Sequence, residues 1–211
     1  LSETLVFLSG ERVAFFYLNL SAIFIILLSS KLYKLRLITL ISSIIIIIFL
    51  SFFFPAAKER VVDQTLNQMN ITTDNKNGNI YIFSKQHTHH YLSAYRMFLE
   101  NKILGVGVKN FRNYCNEEKY KVSNLSCSTH PHNIYIQMLS ETGIIGFSFL
   151  MLIFLYFSKK IFQHLFLRLK GKKLFNDFEI CLLAGILLFL WPIVPTGNVF
   201  NNWLNIMFIL N

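Results

Sequence analysis

Long runs of uncharged apolar residues are the feature that most restricts how this chain can fold. Four runs approach the length of about 20 residues that a helix needs to cross the hydrocarbon core of a membrane. They cover residues 13–30, 37–54, 143–157 and 178–195, and a fifth, partial run covers residues 199–210. Because lipid offers the backbone no hydrogen-bond partners, each run is predicted as a helix. The pattern predicts an all-α, polytopic transmembrane protein.

Composition excludes the other broad classes of protein. Apolar residues make up 54% of the 211-residue chain and charged residues 15%, whereas soluble domains carry about 25% charged residues. A soluble globule is therefore excluded, and so is disorder, which requires low hydrophobicity. The net charge of +9 is assigned to loops beside the spans, where Lys and Arg accumulate, and no nucleic-acid partner is expected.

Basic residues in the two short loops indicate the orientation of the spans. The first loop carries Lys31, Lys34 and Arg36, and the second, residues 159–176, carries Lys and Arg with no acidic residue. Because such residues favour the cytoplasmic side of short loops, both loops are predicted to be cytoplasmic. The chain then has three parts. Residues 1–54 form two spans with an outward N-terminal end, and residues 55–142 form a long, partly helical outward loop. Residues 143–211 form two or three further spans.

The outward loop holds a helix with an arginine in an apolar surface. One face of the helix predicted at residues 91–101 carries, at helical spacing, Leu92, Tyr95, Arg96 and Leu99. The Arg96 stem could pack on that surface while its guanidinium reaches water or lipid headgroups, or Arg96 could capture an anion. Glycines at positions 105 and 107, which tolerate positive φ, are predicted to end the helix.

A second motif places histidines at the start of the helix that leads into the third span. The pattern predicts a helix that begins at Thr129 or His130, with Pro131 and His132 in its first turn. The helix dipole there disfavours imidazolium, so His132 is predicted to be neutral and able to accept a proton. A polar stripe follows at helical spacing, facing either a wet cavity or another helix, and it consists of Asn133, Gln137 and Ser140 or Glu141.

Other interpretations of these residues stay open. His132 could simply pack beside the helix cap, and Cys115 could pair with a histidine for acyl transfer. Cys115 and Cys127 could instead close a disulfide, because both lie in the outward loop. A metal could bind the histidines, although no carboxylate completes a known motif, and the candidates are His87, His89, His90, His130 and His132.

These residues resemble a known family. The run His130-Pro-His132-Asn133, followed after nine residues by Gly143-x-x-Gly146, resembles the His-Asn-x9-Gly-x-x-Gly signature of the O-antigen ligase and polymerase superfamily. Residues 91–96 and 103–107 are similar to the segment that precedes this signature, and Ser9-Gly-Glu-Arg12 is similar to an earlier arginine motif. Members of the family have more spans, so the chain is expected to be the C-terminal catalytic part of a larger, GT-C-like bundle.

The resemblance implies an inverting membrane glycosyltransferase of lipopolysaccharide biosynthesis, multi-pass in the bacterial inner membrane, with a periplasmic active site and no metal or other cofactor. The donor would be a glycan on undecaprenyl pyrophosphate. The acceptor would be a hydroxyl of the lipid A core, in ligation, or of another lipid-linked repeat, in polymerisation. His132 would be the general base, Arg12 and Arg96 would hold the pyrophosphate, and His130 and Asn133 would also bind substrate. The alternative is a non-catalytic exporter or flippase component that binds the same lipid-linked glycan.

Overall fold

Helices form all the regular secondary structure in residues 2–71 and 81–201, which the computed structural model describes. The all-α prediction is confirmed for these residues. In chain order the elements are α1 (Ser2–Ser9), α2 (Arg12–Leu28), α3 (Tyr33–Phe53), α4 (Pro55–Lys58), a π-helical turn (Glu59–Asp63), α5 (Gln64–Gln68), α6 (Lys85–Glu100), α7 (Phe111–Tyr114), α8 (Ile134–Leu169) and α9 (Asp177–Phe189).

Two of the described helices, α3 and α8, are long and apolar enough to cross a membrane. They contain the predicted spans at residues 37–54 and 143–157, apart from residue 54. The predicted span at residues 13–30 corresponds to α2, which has only 17 residues. The predicted span at residues 178–195 is wrong in its bounds, because α9 ends at Phe189 after 13 residues, shortly before Pro192, which disfavours helix in the residue preceding it. Most of the partial run, residues 202–210, lies outside the described residues.

The prediction of a basic loop at residues 159–176 is wrong for most of that stretch. α8 continues to Leu169, and the chain turns only at Gly171, whose φ is +73°. Buried His164 holds this extension, because its Nε2 bonds the carbonyl oxygen of Leu28 at 2.9 Å and its Nδ1 bonds the N–H of Phe175 at 3.2 Å. The basic residues up to position 169 are therefore helical.

The described chain forms two units. Among the described residues, the first comprises 2–67 and 156–191, and one of its buried clusters consists of Leu28, Ile161, Ile180 and Leu187. The second comprises 68–71, 81–155 and 192–201, and its buried apolar cluster consists of Ala94, Met97, Phe111, Cys115 and Tyr120. Every predicted site residue except Arg12 lies in the second unit.

Candidate active site

His132 lies in a tight turn immediately before α8. Its φ is +61°, in the left-handed region that few residues other than glycine adopt. The backbone carbonyl of His132 accepts a hydrogen bond from the N–H of Thr196 at 2.8 Å and a longer one from the hydroxyl of Tyr91 at 3.5 Å. The imidazole Nε2 lies 2.8 Å from the hydroxyl of Ser128. Hydrogen bonds therefore fix both the backbone and the imidazole ring of His132.

Asn133, rather than Thr129 or His130, is the residue that caps α8. Its Oδ1 accepts hydrogen bonds from the N–H groups of Tyr135 at 3.0 Å and Ile136 at 3.2 Å, and its Nδ2 donates to the carbonyl of Pro192 at 2.8 Å. The predicted placement of His132 inside the first helical turn is therefore wrong. The side-chain cap on Asn133 satisfies the first free N–H groups of the helix, which moves the start of α8 to Ile134.

Three further imidazole rings surround that of His132. The centroid of His130 lies 4.1 Å from that of His132, the centroid of His87 lies 5.4 Å away, and that of His90 lies 5.5 Å away in a stacked arrangement. His87 and His90 come from successive turns of α6. Within residues 2–71 and 81–201, no group of three or more His, Cys, Asp or Glu side chains is arranged to hold a metal ion.

Burial lowers the pKa of three of these imidazoles, those of His132, His90 and His130. The pKa of His132 is lowered from 6.5 to about 4, first by desolvation and then by the neighbouring rings of His130, His87 and His90. The pKa of His90 is lowered to about 4 by desolvation, helped by His87, His130 and His89 and opposed by the backbone of Cys127. Desolvation also lowers the pKa of His130. His132 is neutral as predicted, although the cause is burial rather than the helix dipole.

His90 is a fully buried polar residue with unsatisfied ring nitrogens. Neither Nδ1 nor Nε2 has a hydrogen-bond partner, and the hydroxyl of Ser93, one turn later on the same buried face of α6, has none either. The backbone of Cys127 is close enough to influence the pKa of His90 without forming a bond of normal geometry. A buried polar atom without a partner costs about 1–3 kcal/mol, so the free energy of folding alone does not favour histidine here.

The predicted polar stripe packs against protein rather than facing a wet cavity. Asn133, Gln137 and Glu141 are each at most 3% exposed. The Glu141 carboxylate accepts hydrogen bonds from the N–H of Lys109 at 3.1 Å, the N–H of Phe111 at 3.0 Å and the side-chain amide of Gln137 at 3.0 Å. Glu141 therefore ties the loop that follows α6 to the first part of α8.

The same loop lies against an interrupted turn of α8. The N–H of Val106 donates to the carbonyl of Ser140 at 2.9 Å, and the N–H of Gly107 donates to the carbonyl of Glu141 at 3.0 Å. Gly105 and Gly107 adopt φ values of +67° and +96°, which confirms the predicted glycine turn. Gly143 interrupts the helix with φ +65° and ψ −161°.

The two arginines have different surroundings. Arg96 lies on the exposed face of α6, and its Nη1 donates to the carbonyl of Lys121 at 2.6 Å. Arg12 is half-buried at the start of α2, in the first unit. It lines a cavity of about 390 Å³ whose walls are otherwise mainly apolar and consist of Phe15, Phe16, Asn19, Val61, Val62, Thr65 and Leu66.

A disulfide closes the segment that leads to His132. The structure joins Cys115 and Cys127, with Cα atoms 5.2 Å apart, and Cys115 is buried within the apolar cluster of the second unit. Because Cys127 precedes His132 by only five residues, the bond restrains the chain close to the imidazole. Cys115 has no free thiol in this state and cannot act as the nucleophile of a Cys/His dyad.

Sequence reasoning considered His87 and His90 only as metal ligands and missed Tyr91 and Thr196. The one sequence signal was that His87, His90 and Tyr91 share a face of a helix at spacings of three and four. Nothing local to residue 196 indicated that its backbone would bond to the carbonyl of His132.

A family model described as O-antigen ligase matches residues 1–151, which is more than half of the chain. No curated protein and no solved structure gives a significant match.

Proposed function

The chain belongs to the O-antigen ligase family, and from this premise we propose that it transfers a glycan from undecaprenyl pyrophosphate to an acceptor hydroxyl. The acceptor is a sugar of the lipid A core or the end of another lipid-linked repeat. The reaction takes place in the bacterial inner membrane, on its periplasmic face. One observation carries this proposal, namely a neutral His132 held in a fixed turn within the segment that the family model covers.

His132 acts as the general base in the proposed reaction. The acceptor oxygen attacks the anomeric carbon, the bond from that carbon to the pyrophosphate oxygen breaks with inversion, and the hydroxyl proton moves to the imidazole. We assign the proton of the neutral ring to Nε2, which donates it to Ser128, so Nδ1 carries the lone pair that accepts the new proton. A positioned base contributes about 10²–10⁴-fold to the rate, most when its pKa lies near the working pH, so the lowered pKa of His132, about 4, corresponds to the lower end of that range.

Arginine side chains bind the leaving pyrophosphate in this proposal. A guanidinium pairs two phosphate oxygens at once and stays protonated, so Arg12 and Arg96 would neutralise the developing charge without a metal ion. The role of Arg12 rests on the resemblance of residues 9–12 to the family motif. His130 and Asn133 serve substrate binding by fixing the turn of His132, since Asn133 already bonds three backbone groups and His130 bonds the carbonyl of Thr196 at 3.2 Å.

The test replaces His132 without disturbing its backbone. Asparagine tolerates the left-handed region better than most residues, so His132→Asn removes the base while the φ of +61° is retained. His89→Asn is the matched control, because His89 lies on the same helix as His90 and bonds Ser123 rather than His132. Purified protein in vesicles is given lipid-linked donor with either acceptor, and both product formation and donor binding are measured.

We expect His132→Asn to lose about 10²-fold or more of turnover while it still binds donor, and His89→Asn to stay near the wild-type level. Wild-type turnover in His132→Asn would contradict the proposed base. The product formed by the wild-type protein distinguishes ligation from polymerisation.

A non-catalytic exporter or flippase component is the competing function. An exporter would move lipid-linked glycan across the vesicle membrane without forming product and would barely respond to His132→Asn. Loss of turnover after treatment with a chelator would contradict the metal-free reaction. Arg96→Lys separates two roles of Arg96, since lysine reaches the headgroups but cannot pair two phosphate oxygens.

A further inference from the structure

The exposed face of α6 is apolar although it lies outside the membrane-crossing helices. Leu92, Tyr95 and Leu99 are 45–46% exposed, and in the following turn Ile103 and Leu104 are 65% and 71% exposed. We call these five residues the α6 apolar surface. The opposite face of the helix is already buried, with His90, Ser93, Ala94 and Met97 at 0% exposure. The helix therefore has one face buried within the second unit and an apolar face that the second unit leaves exposed.

This surface continues onto the outer side of α8. The N–H of Ile144 donates to the carbonyl of Lys102 at 2.8 Å. The backbone of Ile103 lies so close to Gly143 that a Cβ at position 143 would collide with it. Ile103 and Leu104 are therefore next to the point where the apolar part of α8 begins. From that point the exposed side chains of α8 up to position 152 are apolar except for Ser148. The apolar ones are 44–68% exposed, and they are Ile144, Ile145, Phe149 and Leu152.

Cationic residues accompany the α6 apolar surface. Arg96 lies among its helical members, and Lys102 and Lys109 are exposed in the turn that follows. The one acidic residue at the end of α6, Glu100, bonds Lys119 at 3.0 Å and the hydroxyl of Tyr120 at 2.7 Å. Apolar side chains beside unneutralised Lys and Arg are typical of helices that lie in the interface of an anionic membrane.

We propose that the α6 apolar surface rests on the lipid bilayer, at the boundary between headgroups and acyl chains of the leaflet into which α8 enters. Leu92, Tyr95, Leu99, Ile103 and Leu104 insert among the upper parts of the acyl chains. Arg96, Lys102 and Lys109 contact the phosphates of the headgroups. The proposal rests on the apolar continuity with α8 and does not depend on the chemistry assigned to His132.

Membrane contact at this surface has a consequence for Arg96. A helix that lies in the interface keeps its charged side chains at headgroup depth, which is the depth at which the phosphates of any lipid-linked substrate lie. Arg96 is then positioned by lipid contact of the residues on either side of it, as well as by its bond to the carbonyl of Lys121.

Site-specific fluorescence tests the proposal on the full chain. Cys181, the free and exposed cysteine of the described chain, is replaced by alanine, and an environment-sensitive NBD dye is attached to Leu99→Cys or Leu104→Cys. Glu118→Cys is the matched control, because Glu118 is exposed in the same unit and belongs to no apolar surface. The protein is reconstituted in vesicles of phosphatidylethanolamine and phosphatidylglycerol, and quenching by aqueous iodide is compared with quenching by nitroxide-labelled lipids.

We expect dyes at positions 99 and 104 to be quenched most by nitroxides near the headgroup and to be several-fold less sensitive to iodide than the dye at position 118. Iodide sensitivity equal to that at position 118 would refute the proposal, because the surface would then face water. Protection from both quenchers would also refute it, because the surface would then be covered by protein. Both labelled positions are exposed, so the substitutions leave the packed core unchanged. Loss of glycosyl transfer in other variants does not affect this readout.

Discussion

The close approach of two backbone segments at Gly143 allows a prediction of defined magnitude. With φ +65° and ψ −161°, Gly143 occupies a region that is almost restricted to glycine, and any other residue there costs about 1–3 kcal/mol. An alanine Cβ at this position would lie 2.7 Å from the amide nitrogen of Gly105 and still closer to the carbonyl group of Ile103. Neither neighbour is a flexible side-chain end, so Gly143→Ala must displace the loop.

Displacement of the loop breaks hydrogen bonds that can be counted. The bonds from Val106 to Ser140, from Gly107 to Glu141 and from Ile144 to Lys102 join this loop to α8, and each contributes about 0.5–1.5 kcal/mol. Backbone strain and lost bonds together predict a decrease of about 3 kcal/mol or more in the free energy of unfolding. In a chain of this size that corresponds to a melting temperature lower by about 6–12 °C.

Gly171→Ala is the matched control for this measurement. Gly171 has a similar φ of +73° but no atom lies within 4 Å of the position that its Cβ would occupy. Its replacement therefore costs only the left-handed backbone strain, about 1 kcal/mol, and lowers the melting temperature by about 2–4 °C. Thermal unfolding of both variants in detergent, followed by circular dichroism, gives the comparison. Equal decreases in melting temperature would refute the close approach of the loop to α8.

Three further predictions concern the second unit. Glu141→Ala leaves the buried N–H of Phe111 and the partly buried N–H of Lys109 without their partner and should reduce the free energy of unfolding by about 1–3 kcal/mol or more, whereas Glu141→Gln keeps one acceptor and should lower the melting temperature less; equal losses would contradict this. Reduction of the disulfide between Cys115 and Cys127 should lower the free energy of unfolding by about 3 kcal/mol, the value expected for a closed loop of this length. It should also speed proteolysis within residues 81–155, and an unchanged cleavage rate would contradict this prediction. The lowered pKa of His132, about 4, places the acid limb of kcat/KM near pH 4 instead of 6.5. Because the unfolded chain binds this proton more readily than the folded chain, the contribution of His132 to the free energy of unfolding should be fully present above pH 6.5 and should be lost as the pH falls toward 4. A melting temperature that stays constant across that range would contradict the lowered pKa.

Features set by nearby residues could be predicted from the sequence, and features set by tertiary packing could not. The helix containing Arg96 and the positive φ values at Gly105 and Gly107 follow from local spacing and from the conformational freedom of glycine. The start of α8 depends on which of several adjacent polar side chains caps it, and that choice is settled by the bond from Asn133 to Pro192, 59 residues away. Local pattern alone left that choice open.

The sequence predicts a neutral His132 because of the helix dipole, whereas in the structure burial is the main cause of the lowered pKa. The two causes differ in which substitutions should change the pKa of His132. If the helix dipole lowered the pKa, substitutions in the first turn of α8 would restore it. Because desolvation dominates and the neighbouring rings contribute next, substitutions that admit water beside His90 should raise the pKa of His132 instead. His90 comes from α6, more than forty residues earlier in the chain, so its contact with His132 exists only once α6 has packed on the turn.

The restraints around His132 hold an imidazole that folding energy alone would not place there. The left-handed backbone costs about 1 kcal/mol, and the neighbouring His90 carries two unsatisfied buried nitrogens. The disulfide at Cys127, the cap at Asn133 and the bond from Thr196 to the carbonyl of His132 together stabilise this arrangement. A base fixed before substrate binds does not lose conformational entropy when it reacts, which is the advantage that a preorganised site gains over a flexible one. For the proposed transfer, the disulfide therefore contributes to turnover as well as to stability, since its loss would free the chain five residues before the base.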